Sequence, residues 1–499
     1  MRRDRHITAD AVTSRSSWPV NQRPETLVGW SMRTFVSTGL KLVLLVTVAT
    51  TACMGTSGTP AARRPVTESV APPAESASVG SEGARFATGV SDDDRYFVDQ
   101  SGDPWFGRGD TAWSLVAQLG RQDVDAYLDD RAARGFNLVL ANVLEHHYSD
   151  NAPNNHNDDP PFTGAPFRSA PNEAYWQHVD YVVEAARLRG ITVLLCPAYL
   201  GNRGPEGWSE EVADATDEEM AEYGAFLRDR YGGFPNIMWL IGHDRVPSDT
   251  EKARSEALAA ELPPDDLLGL GAIRAEVRGV PPWSPTTISP DFETVYADEE
   301  APVVDTGLGW AAEPTRPVMW LEGRYEQEGA AVPGDALLRR QEYGALVAGA
   351  SAVLFGNNPI WHFESVPLYE FEGTWQENLA SLGSGDAQRL GDLVRTLPWW
   401  EMQPDNTGAF LVDGDLAEDL AARYSGTHAV IYVPTARTVV LDLSRLTEAE
   451  RVELRRFDPR SGDSEPVGTH PTEGLVAVRS PGHNAAGDDD WVYVLAPAT

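Results

Sequence analysis

From Arg95 onward, apolar runs of strand length alternate with stretches of helical spacing. Arg95–Gly107 reads as a hairpin turning at Ser101-Gly102, and its second arm runs on to Gly109-Asp110 as the first of a strand series. Val124, Tyr127, Leu128 and Ala132 recur at helical spacing until Gly135 stops them. Phe136–Leu144, Ile191–Tyr199 and Asn236–Asp244 are the next strands, with a helix from about Pro171 to Arg189 between the first two. Thr216-x-x-Glu219 and Ser248-x-x-Glu251 are capping boxes, each opening a helix. Leu267–Ile273, Pro302–Gly307, Pro317–Glu322 and Ser351–Asn358 complete eight strands, with a helix from about Asp335 to Gly349 before the last. Eight strands with helical crossovers over some three hundred residues predict a (β/α)8 (TIM) barrel. A doubly wound open sheet is the alternative, and no Gly-rich phosphate loop follows any strand to support it.

Near Pro404 the texture changes. Ala421–Tyr424, His428–Val433, Thr438–Leu443, Arg451–Phe457, Leu475–Val478 and Trp491–Leu495 are short strands separated by turn clusters. They predict a small antiparallel β-sandwich over residues 404–499, after a barrel over residues 92–403.

The N-terminal part has another character. Leu40–Ala49 is an apolar run too short to span a bilayer comfortably, with Arg33 and Lys41 near its start and small residues leading to Cys53. Residues 1–53 read as a secretory signal region, with Met32 a conventional start. Cys53 resembles a lipoprotein lipidation site, so the chain is expected to be freely secreted or held at the cell surface by a lipid. Residues 54–91, rich in Pro, Ala and Ser with few large apolar residues until Phe86, cannot bury enough surface to fold and read as a disordered tether.

The net charge of −35 excludes nucleic acid as an expected partner. The two cysteines, Cys53 and Cys196, lie in unrelated segments, so neither a disulfide nor a cysteine zinc site is expected. No metal and no cofactor is predicted, and oligomeric state is not legible.

Candidate chemistry sits at strand ends. Asp244 ends the fourth strand and Glu322 the seventh. In a barrel, catalytic groups project from the C-terminal strand ends. Two carboxyl groups, one protonated and one ionised, are the minimum apparatus for breaking a glycosidic bond. The bland alternatives are ion pairs, Asp244 with Arg245 and Glu322 with Arg324. Asp110, Asn142, Glu145, Tyr199, Asn357 and Trp361 also lie at or just beyond strand ends, with His243 and Arg245 flanking Asp244. Aromatic faces mixed with polar groups suit a sugar pocket, so these eight are candidate substrate contacts. His146 and His147, adjacent in extended chain, point to opposite faces and do not chelate one ion together.

Several motifs occur together: Gly109-Asp-Thr-Ala-Trp113, Arg131-Ala-Ala-Arg-Gly-Phe-Asn137, Asn172–Tyr181, Pro235–Arg245 and Asn357-Asn-Pro-Ile-Trp361. In this order they resemble the apiosidase-like glycoside hydrolases, glycoside hydrolase family 140 and its relatives, over about Arg95–Trp400. The C-terminal strands look like the small collagen-binding-type domain often appended to that family, a label that is no evidence of collagen binding. The resemblance implies a barrel with Asp244 as acid/base and Glu322 as nucleophile, and the family's known activity is release of apiose from pectin. The chain departs from the pattern twice. His243 stands where the family usually has a second Gly before the acid, and Trp320-Leu-Glu-Gly323 replaces the commoner Asp-Gly-Glu-Pro. Both departures bear on the substrate rather than the reaction. The expected function is a secreted or lipid-anchored glycoside hydrolase acting on a plant or microbial polysaccharide. The rivals are a non-catalytic carbohydrate-binding lipoprotein on the same fold and a metal-dependent barrel hydrolase.

Overall fold

The computed structural model describes residues 83–202, 204–271, 283, 286–296, 316–329, 334, 336–415 and 420–498. Cys53, the signal region and the tether up to residue 82 lie outside the described residues, as does the Pro302–Gly307 run.

Eight parallel strands form the barrel: β1 (Gly107–Thr111), β2 (Leu138–Asn142), β3 (Thr192–Cys196), β4 (Ile237–Ile241), β5 (Leu267–Leu270), β6 (Glu293–Tyr296), β7 (Val318–Glu322) and β8 (Ala352–Phe355). The sixth strand differs from the expectation: Glu293–Tyr296 fills that place, pairing with β7, ahead of the run the sequence suggested. Closure falls between β5 and β6, through a Gly269–Phe292 bridge and an Asp291 N–H to Leu268 carbonyl bond of 2.7 Å. Gly269 is needed there, because a Cβ would lie 2.3 Å from the Phe292 ring.

The period-two pattern sorts each strand's side chains between two cores. Leu138, Leu140, Leu194, Met238, Leu240, Met319, Leu321 and Leu354 fill the barrel interior. Val139, Ala141, Val193, Leu195, Ile237, Trp239 and Ile241 face outward, against helices such as Glu173–Leu188. Both predicted capping boxes are present, opening helices Asp217–Tyr231 and Asp249–Ala259. The predicted hairpin is present with Gly102 at φ +82°, and the strand Ala87–Val90 adds a third member, so the end of the expected tether is instead folded, with Phe86 and Ala87 buried. This small sheet closes the end of the barrel remote from Asp244, Phe97 meeting Phe292 edge-on at 5.5 Å.

The C-terminal sandwich has a six-stranded antiparallel sheet and a two-stranded one. The larger contains Ser464–Pro471, a strand not anticipated from its sequence. Its Pro466, Gly468 and Pro471 are poor strand formers tolerated at an edge, and most of its residues are exposed. The strand Ala429–Val433 is buried throughout. Ala429, Ile431 and Val433 pack into the sandwich, whereas Val430 and Tyr432 pack with Tyr343 and Leu346 of the barrel helix Ala336–Val347. Buried Arg339 on that helix makes a bidentate pair with Asp490 of the sandwich, both bonds 2.9 Å, and reaches Asp386 at 3.3 Å.

Candidate active site

Two backbone devices aim the two carboxyl groups. Along β7, Met319 and Leu321 point into the barrel and Trp320 points out, so strict alternation would send Glu322 outward. The register with β6 shifts between Trp320 and Glu322, and this irregularity turns Glu322 toward the mouth of the barrel. After β4, Gly242 (φ +63°) and Asp244 (φ +67°) are both left-handed and His243 sits between them. A Cβ on Gly242 would lie 2.3 Å from the Trp283 ring, so only glycine fits. Asp244 is among the side chains that tolerate this conformation best, and a non-glycine residue held there is a strained position of the kind that gathers at functional sites.

The two acids meet over one cavity of about 290 Å³ at the C-terminal strand ends. Trp113, Tyr148, Tyr199, Tyr296, Tyr325 and Trp361 form its aromatic walls. Asn142, Asn202, Glu206 and Glu328 add polar groups, and Leu368 and Tyr369 line it while remaining exposed. Tyr199 donates its hydroxyl to Asp244 Oδ2 at 2.6 Å. Burial first, and the Asp244 charge second, push the Tyr199 phenol well above its ordinary value, so it remains a donor. His243, 1 % exposed, lies 2.6 Å from Glu322 Oε2 through Nε2, and the same nitrogen is 3.4 Å from Asp244 Oδ1. The Trp113 indole donates to the Tyr325 hydroxyl at 2.9 Å, tying two walls together.

The eight candidate contacts divide. Asn142, Tyr199 and Trp361 line the cavity, and His243 lies against both acids. Asp110 is fully buried on the outer side of β1, accepting from the Tyr127 hydroxyl at 2.9 Å and Arg131 at 3.2 Å, so it ties β1 to the helix Arg121–Ala133. Burial raises its carboxyl, with Arg131 opposing. Glu145 is buried and holds a loop: Oε1 accepts the backbone N–H groups of His146, His147 and Tyr148 at 2.9–3.1 Å, while Oε2 accepts from Ser114 and Asn142. Asn357 donates to Glu326 at 3.0 Å, away from the cavity. Arg245 approaches Glu251 at 3.4 Å, so its ion pair is with that helix. Position at a strand end does not say which way a side chain points, and these four face scaffold. The wall residues Tyr296 and Tyr325 were missed. Tyr325 stands three places after Glu322 against Gly356, where a Cβ would lie 2.5 Å from its ring; Tyr296 ends a strand the sequence did not mark.

Among the described residues, one group of side chains could hold a cation. His243, Asp244 and Glu322 each offer a ligand atom, all within 4.8 Å of one another. The Tyr199 hydroxyl engages Asp244 Oδ2, and the 2.6 Å His243–Glu322 contact joins two of the three groups as a hydrogen bond. His146 and His147 have separate surroundings, His146 near Glu211 and Trp208 and His147 edge-on to Tyr148.

The sequence profile described as "Apiosidase-like, catalytic domain" matches residues 91–401. A second, described as "Putative collagen-binding domain of a collagenase", matches residues 411–496. Among solved structures, a protein named "Glycoside hydrolase" is similar at 21% identity and TM-score 0.70, covering 83% of this chain and 97% of its own. A glycoside hydrolase family 5 protein from Bacteroides vulgatus is similar at 21% identity and TM-score 0.69, covering 83% of this chain and 94% of its own. At these identities the likeness is one of fold, and it spans barrel and sandwich together. No curated protein matches. The catalytic-domain match covers more than half of the sequence, so the chain belongs to the apiosidase-like family and is a glycoside hydrolase.

Proposed function

We propose that this glycoside hydrolase cleaves its substrate with retention of configuration, using Asp244 as acid/base and Glu322 as nucleophile. The observation that carries the reading is the convergence of the two carboxyl groups on one cavity, with oxygens within 4.8 Å. Retaining enzymes hold the pair about 5–5.5 Å apart, whereas inverting enzymes leave about 6.5–9.5 Å for a water. In the first half-reaction a Glu322 oxygen bonds to the anomeric carbon as the glycosidic C–O bond breaks. The leaving oxygen takes the proton of Asp244. In the second, water attacks the same carbon, Asp244 recovers a proton from it, and the bond to Glu322 breaks. The aromatic walls suit the C–H faces of a sugar, and Asn142, Asn202, Glu206 and Glu328 suit its hydroxyls.

The substrate we propose is a plant or microbial polysaccharide met outside the cell, with the protein secreted or lipid-anchored through Cys53. The N-terminal sequence supports this placement. The test is a screen of purified full-length protein against pectic polysaccharides, arabinans and other furanoside-containing glycans, following the anomer first released by NMR. Release of the retained anomer, unaffected by EDTA, supports the reading. The inverted anomer, or loss of activity on chelation, overturns the mechanism.

A further inference from the structure

We infer that His243 is a positioning residue that decides which of the two carboxyl groups is the anion. This rests on the role proposed above for Glu322. Adjacent acids sharing a pocket repel one another's charge, so something must make them unequal. The His243 ring supplies the asymmetry. Nε2 of His243 lies 2.6 Å from Glu322 and 3.4 Å from Asp244, so its short bond goes to Glu322 alone. With the hydrogen on Nε2, the ring donates to Glu322, and an ionised carboxylate, which only accepts, suits that donor. A charge-assisted bond of this length favours the anion on Glu322, the form that attacks, and leaves Asp244 to carry the proton.

The ring is held where this bond is obligatory. It stacks on Tyr296 at 5.6 Å with 14° between planes and lies 5.1 Å from Trp113. The backbone beneath it is fixed by two close approaches. A Cβ on Gly242 would meet Trp283 at 2.3 Å, and one on Gly271 would meet the Gly242 carbonyl oxygen at 2.0 Å and the His243 Cα at 2.7 Å. The titratable groups facing the imidazole include Glu322 from β7, Asp244 from its own turn, Tyr199 from beyond β3 and Tyr296 from β6. A Gly at this position could supply no such bond.

The experiment needs no substrate. Full-length protein carrying 15N-labelled histidine is titrated by NMR, with the His243 signal assigned by its loss in His243→Gln. The neutral ring is expected to be the Nε2–H tautomer. In Glu322→Gln its titration midpoint should fall by at least about one pH unit, because the neighbouring negative charge is gone. Asp244→Asn should produce the smaller fall. If Glu322→Gln does not fold, Glu322→Asp, which withdraws the carboxylate by one methylene, should give a fall in the same direction. A midpoint unchanged by either Glu322 variant, a larger fall in Asp244→Asn, or the Nδ1–H tautomer would overturn the inference. The two readings fail separately. Inverted product with a shifted midpoint sinks the proposed mechanism and leaves the pairing. Retained product with an unmoved midpoint sinks the pairing alone.

Discussion

Tyr199 and Asp244 stand beyond the ends of neighbouring strands and are joined by a 2.6 Å hydrogen bond from the phenol to Oδ2. The phenol cannot lose its proton at any working pH, so it orients the acid without competing for its proton. Tyr199→Phe should therefore lower kcat by up to roughly tenfold, the worth of one hydrogen bond to a neutral carboxyl, with KM little changed. Steady-state kinetics on the best substrate of the screen checks this. An unaltered kcat would assign the phenol to packing.

Asp244→Asn is the variant to read for the acid, because Asn tolerates φ +67° and Ala tolerates it poorly. Turnover of substrates with poor leaving groups should drop by about 10²–10⁴-fold, while activated aryl glycosides should lose far less in the glycosylation step. Equal loss on both classes would remove the acid/base role. Glu322→Gln should abolish turnover of both classes, by roughly four orders of magnitude or more, with thermal unfolding close to wild type.

Burial lowers the imidazoles of His178 and His362 from 6.5 to about 4. The unfolded chain binds these protons first as pH falls. Stability is thus fully present above about pH 6.5 and is lost progressively down to about pH 4, on the order of 2–3 kcal/mol for each group. Denaturant midpoints measured across that window should fall on acidification. The double variant His178→Leu, His362→Leu should flatten the slope, and an unchanged slope would place the acid sensitivity elsewhere.

Asp490→Ala should destabilise the protein by about 3 kcal/mol, since it strips buried Arg339 of its bidentate partner. Barrel and sandwich should still unfold in one transition, because Val430, Tyr432, Tyr343 and Leu346 form a shared core. Two separated transitions in a calorimetric scan would contradict this.

Much of this architecture was legible in the sequence, for identifiable reasons. Six of the barrel strands carry apolar runs bounded by glycine, proline or polar turns, Gly107–Thr111 followed as the continuation of the hairpin arm, and the capping boxes announced two helices. Glu293–Tyr296 was passed over because four residues with a single Val give little signal beside the richer Pro302–Gly307 run. Asp244 and Glu322 were singled out by their position at strand ends, independently of the family resemblance. How they come together was not visible, because a register shift and a left-handed turn aim them, and neither device has a sequence pattern as plain as alternation. Asp110 and Glu145 were misjudged for the complementary reason. Their partners, Arg131 and three successive backbone amides, are known only once the chain is folded.

The strand Ala429–Val433 gives one face to the sandwich and the other to the barrel, and this sets how the protein can be divided. A carbohydrate module on a tether can be lost or exchanged without disturbing the enzyme it serves. Here the exchangeable unit is larger. Recombination that swapped the sandwich would have to bring a matching Ala336–Val347 helix, whose Gln341 accepts the Arg324 backbone N–H at 2.8 Å, two residues from Glu322. The C-terminal domain is in that sense inherited together with the wall of the active site.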